Sequence, residues 1–182
     1  MTLIDRLHRL QTFILETGLA RSVLALPAPR MLSLPSPSSE DSEWASLYSR
    51  LVQDDALVDV TRDLFVSGFY TNAVLEAMKV LDKEVQAASE RMDIAGAKLM
   101  QHVFSDDKPI LVWSERKTIS EKDEHRGYQW LFAGSMMGIR NPCAHEPKWM
   151  DDPRACLEAL VIAQHLIAKL RKARPITKIT RR

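Results

Sequence analysis

The sequence predicts a mainly α-helical protein with a small β-hairpin. Apolar residues recur at spacings of three and four along most of the chain, which is the pattern of amphipathic helices. The 182 residues are 46% hydrophobic and 27% charged, which is enough for one globular domain with an appended segment. Only residues 110–113 have the composition of a β-strand. We therefore expect a helical bundle with a hairpin insertion and an N-terminal helical arm.

The first 40 residues differ in pattern from the rest of the chain. Residues 3–17 form an amphipathic pattern that ends at Gly18, which predicts a helix with a glycine C-cap. Residues 27–39 are rich in proline and serine and read as a linker. The expected organisation is therefore a helix and linker in residues 1–40, a helical domain in residues 41–174 and a basic tail in residues 175–182.

The first half of the domain has four stretches with helical periodicity, and Gly68 and Pro109 mark two of their boundaries. The apolar positions that predict these helices are Trp44, Leu47, Tyr48 and Leu51, then Leu57, Val60, Leu64 and Phe65, then Ala73, Val74, Ala77, Met78, Leu81 and Val85, and finally Ile94, Leu99, Met100, Val103 and Phe104.

The strand in residues 110–113 is followed by a second extended segment, residues 117–119, with which it can pair as a hairpin. A lone hairpin is marginal unless it packs on helices, so we expect it to lie against the bundle. Ser120 followed by Asp123 resembles a capping box and predicts the start of the next helix.

That helix is expected to stop at Arg140, because Asn141 and Pro142 fit the N-cap and first position of a new helix. Glu146-Pro147 closes this new turn, since the residue before a proline disfavours helix. Asp152-Pro153 repeats the starting signal for the last helix.

Composition restricts the function classes. The formal charge is +1, so no global field attracts nucleic acid, and any RNA contact must be local. The two cysteines form no CxxC pair, which favours a reducing compartment. No apolar run approaches the about 20 residues that span a bilayer, and charged residues interrupt the N-terminal apolar pattern. We expect a cytoplasmic protein without membrane partners, and the chain has no glycine-rich phosphate loop.

The segment Arg140-Asn141-Pro142-Cys143-Ala144-His145 carries the residues suited to phosphate chemistry. A sharp helix junction at Asn-Pro would bring Arg140 and His145 together, and the guanidinium is a planar donor fork that matches phosphate. A histidine can take the proton of a ribose 2′-hydroxyl near neutral pH, which metal-independent RNA cleavage needs. Arg140 would stabilise the charge that builds on the phosphorane.

These residues resemble the R-x4-6-H motif of the HEPN superfamily, in which a polar residue commonly follows the arginine. The wider match is similar to the Ymh-type prophage-associated family of HEPN-like proteins and covers roughly residues 54–171, while the first ~50 residues show no family pattern. The matching positions are Leu64, Phe65, Gly68, Phe69, Tyr70, Ala73, Val74, Glu76, Ala77, Lys79, Leu99, Met100, Phe104, Gly127, Tyr128, Phe132, Gly134 and residues 140–146.

The resemblance implies an all-α, HEPN-like bundle that is often dimeric, with the motif near the dimer groove. It implies a metal-independent endoribonuclease with Arg140 and His145 as catalytic candidates, Asn141 as the residue that orients or contacts phosphate, and Glu76 as an accessory acid. No cofactor or metal is implied. The expected partners are RNA, a second copy of the chain, and an inhibitor protein or defence-system partner, in a toxin-like or phage-defence role. Pro147, directly after the motif, departs from the family pattern.

Other interpretations of the same residues stay open. The protein is alternatively a noncatalytic RNA-binding or oligomerising helical module, with the Arg-Asn-Pro segment acting only as a helix end. Trp149 or Tyr128 can stack on a base or simply pack in the core or an interface. Cys143 is an awkward nucleophile for His145, because near neighbours on a helix diverge. A zinc site would have to combine widely spaced ligands from Cys143, Cys156, His102, His145 and His165.

Overall fold

The computed structural model describes residues 39–176, with side chains from residue 42. Within this range the chain forms seven α-helices, a π-helical turn and two short strands. The N-terminal helix predicted for residues 3–17, most of the linker and the end of the basic tail lie outside the described residues. The elements, in chain order, are α1 Ser39–Leu51, α2 Asp55–Val66, α3 Tyr70–Ser89, α4 Gly96–Val103, β1 Leu111–Val112, α5 Ile119–Ser135, the π-helical turn Met136–Arg140, α6 Asn141–His145, α7 Pro153–Leu170 and β2 Arg174–Pro175.

Helix α3 is the central element of the domain. It packs against α2, α4, α6, α7 and the π-helical turn. Its inward positions are fully buried and lie at helical spacing, as their pattern predicts. These positions are Ala73, Val74, Ala77, Met78, Leu81 and Val85. The motif segment therefore rests directly on the central helix of the bundle.

Glycine determines how α2 turns into α3. The Gly68 amide donates to the Phe65 carbonyl at 3.0 Å, and the Phe69 amide donates to the Leu64 carbonyl at 2.8 Å. This pair of bonds is a Schellman motif, and Gly68 occupies its left-handed position with φ of 77°. The boundary predicted at Gly68 is confirmed, and the motif explains why glycine stands there.

The small sheet is antiparallel, but its second strand is not the predicted one. Leu111 pairs with Pro175 and Val112 with Arg174, and the Ile176 amide donates to the Ile110 carbonyl at 3.1 Å. The mainly α fold with a small antiparallel sheet and a strand within residues 110–113 is confirmed, whereas pairing with residues 117–119 is wrong.

Residues 117–119 are unavailable for strand pairing because they begin α5. Thr118 accepts the Glu121 amide at 3.2 Å, and the Glu121 carboxylate accepts the Thr118 amide at 3.0 Å. This is a complete capping box, which satisfies two amides that the first turn leaves without partners. The N-cap of α5 is therefore Thr118, with Glu121 as its capping-box partner, and not the predicted Ser120 with Asp123.

Aromatic packing holds β1 and α5 against α7. Phe104 stacks on Trp113 with ring centroids 4.9 Å apart, and Phe132 lies 4.6 Å from Phe104. The Trp113 indole N–H donates to the Lys169 carbonyl on α7 at 2.8 Å. A two-residue strand is thus stabilised by side-chain packing on helices and not by the sheet alone.

The polar side chain of Gln164 joins the α1–α2 turn to α7. The side-chain oxygen of Gln164 accepts the amides of Gln53 at 2.7 Å and Asp54 at 3.0 Å, while its nitrogen donates to the Leu51 carbonyl at 2.9 Å. These bonds satisfy backbone groups between two helices that would otherwise lack partners.

Candidate functional site

The motif segment is part of one continuous helix and not a helix junction. Arg140 and Asn141 both have right-handed helical torsions, with φ/ψ of −64°/−47° and −65°/−46°. The Asn141 amide donates to the Met136 carbonyl five residues earlier, as in a π-helix. The sharp junction predicted at Asn141-Pro142 is therefore wrong, and α5, the π-helical turn and α6 follow one another without a break.

The π-helical turn explains how a proline is tolerated here. A proline inside an α-helix lacks an N–H donor, and its ring crowds the carbonyl four residues earlier. The wider turn directly before Pro142 changes the hydrogen-bond register at that point, so the chain remains helical through the proline. Such single π-helical turns inside α-helices frequently occur at functional sites.

Helix geometry determines which motif residues face the same way. Four residues advance an α-helix to within about 40° of a full turn, whereas five residues advance it by about 140° beyond one. Asn141 and His145 therefore lie on the same face of the helix. Arg140 lies to one side of that face. Among the described residues, the structure gives a contact between Arg140 and Asn141 and none from either residue to His145.

Arg140 is half-buried and has no acidic partner within residues 42–176. Its Nη1 donates one hydrogen bond, to the side-chain oxygen of Asn141 at 3.2 Å. A guanidinium carries five N–H donors, so this bond leaves most of them available. A half-buried cation without a nearby carboxylate is suited to an anionic ligand.

His145 is the last residue of α6 and its side chain is exposed. No hydrogen-bond partner for its ring lies in the described part of the chain. The helix stops here because Glu146 precedes Pro147 and adopts an extended conformation, with φ/ψ of −117°/108°. The predicted end at Glu146-Pro147 is confirmed, and the imidazole is open to a ligand from solvent.

Two buried cysteines lie beneath the motif. Cys143 and Cys156 are both free and buried, and Cys143 is part of the hydrophobic core. Burial raises the pKa of the Cys143 thiol, and burial, helped by Cys143 and Asp152, raises the pKa of Cys156 to about 12. Because thiolate is the reactive form, neither cysteine is suited to be a nucleophile.

Glu76 lies on α3, the helix that packs under α6 and the π-helical turn. Its carboxylate pairs with Lys79 at 2.6 Å, and the structure gives it no contact with Arg140, Asn141 or His145. The four predicted site residues are thus an adjacent pair, an exposed histidine one turn further along, and an acid on the supporting helix.

The turn that follows the motif is fixed to α3 by Thr71, a residue that sequence reasoning missed. The Thr71 hydroxyl donates to the Met150 carbonyl at 2.9 Å and accepts the Met150 amide at 3.0 Å. No spacing pattern relates residues 79 positions apart, so the sequence holds no signal for this pair.

Trp149 and Tyr128, the two aromatic candidates, have different surroundings. Trp149 is 54% exposed and lines a surface depression with Glu146, Pro147 and Lys148. The Tyr128 hydroxyl lies 2.9 Å from the His165 ring, and the Lys169 ammonium lies 4.2 Å from the centre of the Tyr128 ring. Only Trp149 of the two presents an open ring beside the motif.

The outer face of α5 and the π-helical turn carries an apolar surface, which we call the α5 face. It consists of Trp130, Leu131, Gly134, Met137 and Gly138, and its three large side chains are 67%, 55% and 58% exposed in that order. Residues 127–139 contain no charged side chain. Apolar patches of this kind mark interaction surfaces in soluble proteins.

Neither a metal-ion cluster nor a membrane-spanning helix is found among the described residues. Among the described residues, no group of three or more histidine, cysteine, aspartate or glutamate side chains is arranged to hold a metal ion. Within the same range, none of the helices combines the length and apolarity that crossing a membrane requires.

Comparison with known proteins identifies a family match over most of the folded domain. The family is described as "Protein of unknown function (Hypoth_ymh)", and it matches residues 52–170. No curated protein and no solved structure matches the chain.

Proposed function

This chain belongs to the Hypoth_ymh family, and from that premise we propose that it is a metal-independent endoribonuclease of HEPN type. One observation carries the proposal: Arg140, which has no acidic partner among the described residues, stands five positions before the exposed His145 on the same helical segment, in the order R-x4-H. Both residues stand on a helix that the central α3 supports. The same resemblance supports a toxin-like or phage-defence role.

Each residue has a role in the proposed reaction. His145 removes the proton from a ribose 2′-hydroxyl, whose oxygen attacks the adjacent phosphorus. The bond from phosphorus to the 5′-oxygen breaks, that oxygen takes a proton from water, and the proton held by His145 passes to the hydroxide so formed. The products are a 2′,3′-cyclic phosphate and a 5′-hydroxyl. Arg140 binds the phosphate and stabilises its added negative charge, and Asn141 holds the guanidinium in position through the bond of 3.2 Å.

Glu76 has an accessory role in this proposal. It lies on the helix beneath the motif and is neutralised in part by Lys79, so it acts on the site through the local field and not as the base. Glu76→Gln keeps the shape of the side chain and removes its charge. We expect a smaller loss of cleavage than for His145→Ala, and a loss equal to or larger than that would contradict this division of roles.

The test is cleavage of short single-stranded RNA by the purified full-length protein in excess chelator. We expect His145→Ala to slow cleavage by roughly 10²–10⁴-fold and Arg140→Ala by roughly 10²–10³-fold, with the cyclic phosphate detected by mass spectrometry. His102→Ala and Arg62→Ala are matched controls, because both residues are exposed on other helices. Absent cleavage by the unaltered protein, or cleavage that survives both motif variants, would refute the enzyme proposal.

A homodimer through the α5 face is the second part of the proposal. The face has two large exposed side chains, Trp130 and Met137, on either side of Gly134. The space above Gly134 is open, since a Cβ added there would meet nothing within 4 Å. A second copy in antiparallel orientation would place its tryptophan in this glycine gap. The face continues along the same helix into Asn141, so a dimer formed here would bring the two motifs close to one interface.

The apolar α5 face also supports the alternative function, an oligomerising interaction module without catalysis. Trp130→Glu tests the face itself, and light scattering should show loss of the dimer with unchanged helical content. Deletion of residues 1–40 tests the N-terminal segment, which the alternative requires for assembly. A dimer that survives Trp130→Glu and is lost on the deletion would favour the alternative.

A further inference from the structure

The depression beside the motif presents one open aromatic ring next to a lysine. Its lining is Glu146, Pro147, Lys148 and Trp149, the four residues that follow His145 in the chain. Trp149 is more than half exposed, and Lys148 has no ion-pair partner within the described range. An exposed indole beside a free ammonium is the combination found where proteins hold single-stranded nucleic acid.

The ring stands on a turn with a fixed conformation. The Trp149 amide donates to the Glu146 carbonyl at 3.1 Å, which closes the turn. Met150, the next residue, is held by both of its backbone groups to Thr71 on α3. The turn is thus fixed at its start by the end of α6 and at its finish by α3. A ligand that stacks there does not have to order the loop first.

The ring is also close to the proposed catalytic base. Four residues cover at most about 14 Å when fully extended, and the closed turn shortens that span. A nucleotide next to the one whose phosphate contacts Arg140 would therefore be within reach of Trp149.

Charge favours an anionic chain over an apolar peptide as the occupant. Arg140, His145 and Lys148 are three cationic or protonatable groups without acidic partners in the described part of the molecule, and they occur within nine consecutive residues. Glu146 is the one acid among them, and its carboxylate can accept a hydrogen bond from a base amino group. A backbone of phosphates with attached bases matches this arrangement, whereas an apolar peptide would leave the cations unpaired.

We propose that Trp149 is a stacking platform for a base of single-stranded RNA adjacent to the scissile phosphate. This inference rests on the proposed function, because it assigns a subsite to the same substrate. Lys148 contacts the phosphate on the outer side of that base. The platform is sequence-tolerant, since stacking uses the face that every base has.

The experiment separates this inference from the proposed function by measuring binding without cleavage. His145→Ala is the background, and the probe is a fluorescein-labelled eight-nucleotide uridine RNA followed by anisotropy. Adding Trp149→Ala should weaken binding by roughly 5–150-fold, and Trp149→Phe should restore most of it, because phenylalanine also stacks. Met92→Ala is the matched control, since Met92 is exposed beyond the other end of α3, a helix about 30 Å long.

A second set of RNAs identifies the base directly. Each RNA lacks one base, and removal of the stacked base should weaken binding to the parent as much as Trp149→Ala does. The Trp149→Ala protein has no indole for that base to stack on. It should therefore bind the RNA that lacks the stacked base at least as tightly as it binds the intact RNA. This comparison depends on the RNA and stands even where Trp149→Ala disturbs the turn.

The outcomes are distinguishable. If Arg140→Ala weakens binding while Trp149→Ala and all base-free RNAs bind like the parent, the platform is refuted and the proposed function stands. If the His145→Ala protein, in which Trp149 is intact, binds no RNA at any salt concentration, both the proposed function and the Trp149 platform are refuted.

Discussion

The hydroxyl of Thr71 is expected to make a measurable contribution to stability through its two bonds to Met150. Thr71→Val replaces the hydroxyl with a methyl group of similar size, so both bonds, at 2.9 and 3.0 Å, are lost while the volume is kept. Each protein hydrogen bond contributes about 0.5–1.5 kcal/mol net, so the unfolding free energy should fall by about 2 kcal/mol. For a chain of this size that corresponds to a decrease in Tm of roughly 4–8 °C.

Urea unfolding and amide hydrogen exchange measure the two consequences of this substitution. The Met150 amide should exchange faster in Thr71→Val than in the parent, because its acceptor has gone. Thr71→Ser is the matched control, since it keeps the hydroxyl and should lose only about 1 kcal/mol for the missing methyl group. Unchanged exchange at Met150, together with a loss below about 0.5 kcal/mol, would refute the idea that this bond pair fixes the turn.

Three further perturbations test other parts of the structure. Burial, followed by the charge of Arg116, lowers the pKa of His125, so the unfolded state binds more protons and stability should fall as the pH drops below about 6.5; urea midpoints from pH 8 to 5 that are equally steep in His125→Phe would contradict this. Thr118→Ala removes the capping-box hydroxyl and should cost about 1 kcal/mol by thermal unfolding, and an unchanged Tm would show that the cap contributes nothing. Cys143 and Cys156 are buried with raised pKa values, so a thiol reagent should label them slowly at pH 8 and rapidly in urea; fast labelling of the folded protein would be inconsistent with their burial.

Local signals predicted the helices of this protein well. The inward positions of α3 follow from apolar spacing alone, and all six lie in the core. Asp152 is the N-cap of α7 and accepts the Ala155 amide at 3.0 Å, as the Asp-Pro signal indicates. Glu146 leaves the helix before a proline. In each case the determining interaction is within a few residues of the signal.

Interactions between distant residues were beyond the reach of the same reasoning. The partner of β1 comes from residues 174–175, more than 60 positions along the chain, and nothing in the strand itself selects it over the nearby residues 117–119. Residues 117–119 do not pair with β1, because the capping box between Thr118 and Glu121 begins a helix there. The three bonds of the Gln164 amide to backbone groups of the α1–α2 turn likewise join residues more than 100 positions apart, and no local pattern predicts them.

The candidate site illustrates the same division. The residue types of Arg140, Asn141 and His145 indicate phosphate chemistry without any coordinates. The helix junction predicted at Asn141-Pro142 is wrong, however, because proline usually ends a helix and here a π-helical turn accommodates it. Contacts such as Thr71 with Met150 depend on how α3 packs against the motif, which only the assembled fold provides.

The π-helical turn acts as a phase shift along the longest helical segment of the domain. One extra residue in a turn offsets every later position by about 100° relative to the part before it. Cys143 is buried, so this offset is the one that seats its thiol in the core and aims Asn141 and His145 outward. Removing Gly138 by a single-codon deletion would rotate the part after it by about 100° and put Pro142 in a regular α-helical register, so the helix would kink at the proline and Cys143 would leave its buried position. The orientation of the motif is thus encoded by a residue count, independently of which side chains make up the turn.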